Sequence, residues 1–408
     1  MLRRSVWGLL DQSVSSLSSL LLAIMVARES TPEAVGAWAV GYAFYTFVLA
    51  ISRSSISTTA IISQGGHTAE LSIRGSEQDK DAVSTAVFAA SGIAMVIAVF
   101  GLVIQGDLGF YIVLFAVALP MLIWQDALRF VTIRQGKLAR TSVIDLTWLV
   151  CQVAIGALLV EIFDDGRMVT IGWMVAAAIS LAVATMFVSP RVSLARAANF
   201  YRRHRSTIGG LFTESALGAG VANLQPAILG VFIGLASTGY FRGALSLLGI
   251  AGAVVMGLTP IVTVEAVRRL RNSERLTPLL YWWIAGIALL GGGLTAVVSV
   301  IPDSIGVKLL GETWYGAASI FPILAAQIVF RGPNTGIPII LRAAHKMRAV
   351  VTVRVIHSVT TLTITTGGAI LFGLHGAAWG WLLSSMLLCF YSVVVYIKFL
   401  RERKGVGN

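Results

Sequence analysis

The sequence predicts an all-α integral membrane protein with twelve transmembrane helices, and three observations carry that prediction. Hydrophobic residues fill 56% of the 408 positions, only 12% are charged, and the mean hydropathy is +0.83. A soluble domain carries roughly 25% charged residues, so this chain has too little polar surface to face water. Apolar runs near the roughly 20 residues a spanning helix needs recur twelve times: 6–27, 37–62, 82–104, 109–128, 143–163, 169–188, 207–234, 240–263, 279–301, 317–340, 349–371 and 376–397. Basic residues, finally, alternate from side to side of those runs.

That alternation sets the orientation. Lys and Arg gather in short cytoplasmic loops. With the N-terminus inside, the outer loops hold only Arg28, Arg167 and Lys308, and the spans hold Arg53, Arg242, Arg331 and Arg354. The other 24 of the 31 basic residues fall on the inner side. Omitting a span would scramble this pattern downstream, so both termini are expected in the cytoplasm. The same bias explains the net charge of +12 without invoking nucleic acid, for which no motif is present. The first run follows Arg3 and Arg4, but it is long and Ser-rich, carries Asp11 and lacks a small-residue cleavage site. It reads as a retained span rather than a signal peptide.

The composition excludes a cytosolic enzyme, a disordered chain and a secreted disulfide scaffold. Cys151 and Cys389 lie in apolar runs and read as core or lipid-facing residues rather than as a bridge or metal site. The longest basic loop, Pro190 to Ser206, follows span six and divides the chain into two six-helix lobes. The expected organisation is an N-terminal lobe at 1–190, a basic cytoplasmic linker at 191–206, a C-terminal lobe at 207–397 and a basic tail at 398–408. Span two opens GAWAVGY at Gly36 and span eight opens GYFRGAL at Gly239, a weak internal similarity between halves of the same orientation, as in parallel-repeat transporters. Gly230 with Gly234 and Gly239 with Gly243 fit close helix packing.

An ionisable group in a span costs a few kcal/mol, so it faces a cavity or a partner. Here such groups fall into helical stripes: Asp11, Ser15 and Ser18; Tyr42, Tyr45, Arg53 and Ser57 with Thr46; Asp145, Trp148 and Gln152; Glu214 and Gln225; Gln327, Arg331 and Asn334; Arg354, His357 and Thr361. Bland readings stand beside the functional one. Ser15 and Ser18 suit a packing seam, Asp11 is within reach of the interface, Asn223 suits a helix–helix hydrogen bond, and His357 suits a satisfied polar contact. Asp126 and Arg129, three apart at a span end, read as a surface pair. Arg53 lies about 24 Å down its helix at 1.5 Å per residue, with no carboxylate beside it in sequence. Arg331 sits in FRGPNTGIP (Phe330 to Pro338), whose prolines and glycines are expected to break the helix, as broken spans do at transporter sites.

The candidate substrate-binding residues are therefore Arg53, Arg331, Arg354, Glu214, Asp11, Gln225 and Arg242. Most of these charges fall in the cytoplasmic half, with Arg242 near the outer mouth. An inner-side set of arginines suits an anionic head group, because the guanidinium fork binds phosphate bidentately and keeps its charge when buried. No Walker A sequence, no H-E-x-x-H and no Cys/His metal spacing is present, and the five scattered histidines support no nucleophilic triad, so neither enzyme chemistry nor a cofactor is expected.

Four stretches carry a family resemblance: WGLLDQSVSS from Trp7 through Ala27 and Arg28, followed by VGAWAVGYA from Val35; STGYFRGA from Ser237 through Thr259 and Pro260; LGETWYGAA from Leu310; and LHGAA from Leu374. The chain resembles the polysaccharide flippases, which carry lipid-linked oligosaccharides, of the multidrug/oligosaccharidyl-lipid/polysaccharide (MOP) exporter superfamily. With 25 Arg against six Lys, it is similar to actinobacterial members. The resemblance implies a V-shaped pair of six-helix lobes around a central cavity, working by alternating access. It implies a polyprenyl-pyrophosphate-linked oligosaccharide as cargo, Arg53 on span two as a pyrophosphate ligand, and membrane lipids, a polysaccharide polymerase and glycosyltransferases as partners. The alternatives are an ion-coupled multidrug antiporter of the same fold, which Asp11 would serve, and a membrane polymerase or glycosyltransferase, which would need a sizeable outer loop.

The charge pattern yields a direct test. An impermeant thiol reagent applied from outside labels a cysteine substituted for Ser304 and spares one substituted for Ser193; the opposite pattern refutes the twelve-span topology.

Overall fold

The structure is a computed structural model. It describes residues 2–62, 73–188, 192–272, 274–344 and 346–405; within these, the side chains of 2–13, 61–62, 73–76, 214, 217–222, 250, 253, 256–257, 260–261 and 403–405 lie outside the description. Helices account for nearly all of it: α1 (Leu2–Arg28), α2 (Pro32–Ile51), a π-helical turn (Ser52–Ser57), α3 (Thr58–Ile62), α4 (Ile73–Val103), α5 (Gly106–Arg134), α6 (Leu138–Phe163), α7 (Arg167–Phe187), α8 (Leu194–Arg271), α9 (Thr277–Ser299), α10 (Asp303–Leu310), α11 (Thr313–Ala343) and α12 (Met347–Gly405). No strand occurs among the described residues.

Among the described residues, nine helices are long and apolar enough to cross a membrane, and the chain is a multi-pass membrane protein. The outward faces support this. On α4, Met95, Val96, Val99, Phe100, Leu102 and Val103 are all more than half exposed, an apolar surface that hydrocarbon accepts and water does not. Two elements are too long for one crossing, and each is broken by a glycine. In α8 the break is Gly234, at φ 79°. In α12 it is Gly373 at φ 61°, next to Phe372. A positive φ costs glycine nothing and other residues a good deal. The breaks fall between predicted spans seven and eight and between eleven and twelve. Gly234, expected as a packing residue, has nothing within 4 Å of where a Cβ would sit, so its role is the turn. Gly243 does pack closely, against Thr313 of α11.

The chain divides into two compact units, unit 1 (Met1–Ala227) and unit 2 (Ile228–Asn408). In unit 1, α6 packs on α7, α4 on α5, α2 on α5, and α1 on α6. Thr31 caps α2, its hydroxyl accepting the Ala34 amide at 3.4 Å, with Pro32 at the first turn, as helix starts favour. The core holds Trp38, Tyr111, Phe115, Leu122 and Ile144, all nearly inaccessible. In unit 2, α11 packs on α9, α10 and α12 around Leu280, Ile337, Ile340, Leu341, Tyr396 and Phe399.

Two expectations need correction. Most of the basic segment after span six, expected as a loop, is regular structure. From Leu194 it is helical and docks on α4 of its own unit: Ala197 and Phe200 are buried, Thr85 Oγ1 donates to the Ala197 carbonyl at 3.3 Å, and Arg196 bridges Glu77 and Asp81 at 2.6 and 3.1 Å. Its apolar residues recur at helical spacing, which outweighs the loop-like charge. The FRGPNTGIP stretch is likewise unbroken, and Pro322, Pro333 and Pro338 all lie inside α11. Neighbouring helices stabilise it. Trp283 Nε1 on α9 donates to Thr335 Oγ1 at 3.1 Å, and Asn334 Nδ2 donates to the Ser385 carbonyl on α12 at 3.0 Å. Gly332 and Gly336 let Ile284 and Trp283 close in. At the far end of α8, hydrogen bonds from Arg268 and Arg269 hold the half-buried Glu265 carboxyl down at about 2.

Small residues set the helix spacing in unit 1. A Cβ on Gly172 of α7 would stand 2.7 Å from the Cα of Gly156 on α6, a backbone contact that cannot rotate away. Gly172→Ala is expected to destabilise by about 1–3 kcal/mol, the usual overpacking cost. Gly92→Ala, with open space around it, should leave the detergent melting temperature within about a degree, since surface changes of this kind are near neutral.

Candidate functional site

The π-helical turn positions the first functional side chain. Its sequence, SRSSIS, is followed by Thr58 and Thr59, and these hydroxyls bond back to main-chain carbonyls: Ser54 to Ala50 at 2.9 Å, Ser55 to Ile51 at 2.6 Å, Thr58 to Arg53 at 3.1 Å and Thr59 to Ser55 at 2.5 Å. Such bonds compete with and bend the helix, and π-turns concentrate at functional positions. Ser54 also meets Ser215 of α8.

Arg53 leaves this turn to grip Asp126 of α5. Its Nε lies 3.1 and 3.0 Å from the two carboxylate oxygens, and its Nη2 lies 2.5 Å from Oδ1. Asp126 also faces Arg129 at 3.9 Å, and Arg129 Nε donates to Asp145 of α6 at 2.9 Å. The result is a four-member ion chain of two arginines and two aspartates, without net charge. The side chains of Asp126, Arg129 and Asp145 are under 10% exposed and that of Arg53 is 38% exposed. Asp126 and Arg129, read from sequence as a surface pair, are therefore buried. Each lies against a partner from another helix, and their i,i+3 contact joins the two ion pairs.

These four residues line a cavity of about 310 Å³ inside unit 1, shared with Ser15, Ser18, Tyr42, Tyr45, Trp148, Trp173, Gln125 and Asn223 among others. Three of the sequence stripes converge here, from α1, α2 and α6, and α8 adds Asn223, which lies outside the Glu214–Gln225 stripe. Some members are committed to helix ties. Ser18 Oγ donates to Gln152 Oε1 at 2.8 Å and Gln152 Nε2 donates to the Ser18 carbonyl at 2.9 Å, the packing seam expected for Ser18. Gln125 Nε2 donates to Ser180 Oγ at 3.1 Å. The aromatic wall is continuous: Tyr45 meets Trp173 edge-on at 5.6 Å, and Trp148 lies tilted against Trp173 at 5.3 Å.

Unit 2 holds a different grouping. Arg331 of α11 is half-buried, with its terminal nitrogens 3.8 and 3.9 Å from the point a Cβ on Gly252 would occupy. His357 of α12 feels the charges of both Arg354 and Arg331, and Arg354 is exposed. Among the described residues no ion pair joins Arg331 or Arg354 to a carboxylate. Thr361 and Asn334, from the same stripes, bond Ser384 and the Ser385 carbonyl.

The remaining candidates are scattered. Gln225 belongs to unit 1 and is buried, its Nε2 without a hydrogen-bond partner among the described residues. Arg242 is half-buried in unit 2. The side chains of Asp11 and Glu214 lie outside the described residues. Sequence reasoning overlooked Trp173 and misjudged Asp126. Electroneutrality was the available signal, because Arg53 inside a span calls for an anion and Asp126 and Asp145 lie within other spans. Among the described residues no three of His, Cys, Asp and Glu converge as metal ligands.

No protein-family model matches the sequence, and no curated protein matches it. Solved structures do. An inward-facing multidrug-resistance MATE-family transporter of the MOP superfamily superposes with a TM-score of 0.73 at 11% identity, over 97% of this chain and 96% of that one. The lipid II flippase MurJ, in an inward closed conformation, gives 0.72 at 10% identity, over 97% and 87%. A MOP-superfamily transporter from Pyrococcus furiosus, described as having a binding pocket of reverse polarity that suggests a different function, gives 0.60 at 13% identity, over 96% and 93%. Likeness over nearly the full length of each protein, at identities this low, establishes the architecture: the chain has the all-helical fold of the MOP-superfamily exporters.

Proposed function

We propose that the protein is a transporter that moves a polyprenyl-pyrophosphate-linked oligosaccharide from the inner to the outer leaflet by alternating access, in a bacterial plasma membrane with both termini cytoplasmic. The observation that carries this reading is the charge balance within the spans. The described buried carboxylates of the cavity, Asp126 and Asp145, are both matched by arginine, while Arg331 and Arg354 are in excess. An export pathway for organic cations needs a carboxylate free to exchange its cation; a pathway for a pyrophosphate needs uncommitted positive charge. The likeness to a lipid II flippase supports a lipid-linked cargo. Glycosyltransferases and a polymerase are then the natural suppliers and consumers of the cargo.

On this reading the pyrophosphate meets Arg331 and Arg354, with His357 as a neighbouring donor. Arg53 is the weaker anion ligand, because its fork is already closed on Asp126. The multidrug antiporter stands second, favoured by the likeness to the MATE transporter.

Two outcomes test this division of labour. Arg331→Ala should leave the amount of folded protein unchanged, since it strands no described carboxylate. It should slow relief of inner-leaflet lipid-linked sugar about 10- to 100-fold, the loss of one charge-assisted contact, and Arg331→Lys should recover only part. Arg53→Ala should instead destabilise the protein by about 1–3 kcal/mol, less than the roughly 3–5 of a fully buried pair because the arginine is partly exposed and Arg129 remains near Asp126. The double variant with Asp126→Ala should restore part of the lost folded protein, giving a coupling of about 1 kcal/mol or more. Normal folding with abolished flipping in Arg53→Ala would transfer the anion role to Arg53.

A further inference from the structure

We infer that the cavity of unit 1 is a subsite for an uncharged sugar ring. The inference rests on the flippase reading for its biological context, but the chemistry belongs to the cavity. A pyranose has two unlike surfaces, a C–H face that packs on flat aromatic rings and a rim of hydroxyls that each donate and accept. The cavity offers both. Tyr42, Tyr45, Trp148 and Trp173 form an aromatic wall from α2, α6 and α7, and Asn223 and Gln125 join the ion chain as polar lining. Tyr42 and Trp148 are half-buried while Tyr45 and Trp173 are buried, so the first two are the rings whose surface remains to be covered. The volume of about 310 Å³ lies at the small end of ligand pockets.

Charge excludes the competing occupants. An aromatic cage beside carboxylates is also how organic cations are held. Among the described residues both carboxylates of the lining are in ion pairs, and two guanidinium groups stand beside them, so a cation gains no net attraction from them. An anion fares no better, since Arg53 and Arg129 are already engaged by Asp126 and Asp145. Removing either partner of such a pair leaves a charge stranded in a low-dielectric site. A neutral polyhydroxylated ring hydrogen-bonds to the outer edges of the ion chain without breaking it. Ionised groups whose charge is internally balanced make strong hydrogen bonds and attract no counter-ion.

The experiment uses the full chain purified in detergent and saturation-transfer NMR with four free neutral sugars (glucose, galactose, mannose and N-acetylglucosamine), with tetraphenylphosphonium and inorganic pyrophosphate as rivals. At least one sugar should receive saturation at its ring protons, and neither rival should displace it. Trp148→Phe should keep binding within about threefold and Trp148→Leu should weaken it about tenfold, the scale of one lost ring contact. Ala50→Leu, which fills the cavity from a helix position that tolerates leucine, should weaken it at least as much. No transfer from any sugar, equal binding by the Phe and Leu variants, or displacement by tetraphenylphosphonium overturns the subsite. Flipping of the lipid-linked oligosaccharide is measured on the same wild-type chain. If the chain flips and the sugar result fails, the subsite falls alone; if sugar binds and the chain does not flip, the flippase reading falls and the subsite stands.

Discussion

The grip of Arg53 on Asp126 is the interaction on which the architecture of unit 1 turns. A guanidinium held in a span carries a desolvation cost, and for Arg53 it is Asp126 that offsets it. Two carboxylate oxygens at 3.0–3.1 Å from Nε and a third contact at 2.5 Å remove that cost. The chain then continues through Arg129 to Asp145 and ties α2, α5 and α6 together with polar groups where lipid-like surroundings make every unmatched charge expensive. The π-turn serves this constraint. By adding a residue to the turn it re-aims the side chains that follow, and the Ser and Thr hydroxyls that bond back to the main chain are its sequence-level cause.

Neutrality has a consequence for function. Charges that cancel within one cavity are poor bait for an ion, and the lining is better suited to a ligand that is polar without being charged. In unit 2 the opposite holds: Arg331 rests beside the side-chain-free Gly252, and both it and Arg354 lie close enough to act on His357. The two units differ in the electrostatics they present, and the proposed cargo, with a neutral glycan and an anionic pyrophosphate, has a use for both.

Helix spacing is the second constraint. Gly172 against Gly156, and Gly376 against Gly368, bring backbones into direct contact, so that small residues do for these helices what interdigitated apolar side chains do in a soluble core. The prolines of α11 are accommodated in the same way. Neighbouring helices come close enough to supply the hydrogen bonds and packing that an isolated proline-rich helix would lack.

The sequence by itself determined the membrane class and, through the gaps between apolar runs, the places where two long helices turn. Hydropathy acts locally and leaves its signal in consecutive letters. The sequence also determined which faces of α1, α2 and α6 are polar, because helical periodicity is a property of one helix, and those faces do line one cavity. Only the tertiary structure decided the partners. Arg53 and Asp126 are 73 positions apart, and no spacing rule links residues on different helices. Pair identity depends on helix azimuth and depth, which a single sequence does not encode in any readable pattern. The same reason turned Asp126 and Arg129 from a surface pair into the centre of an ion chain, kept α11 continuous through its prolines, and docked the basic segment after span six on α4.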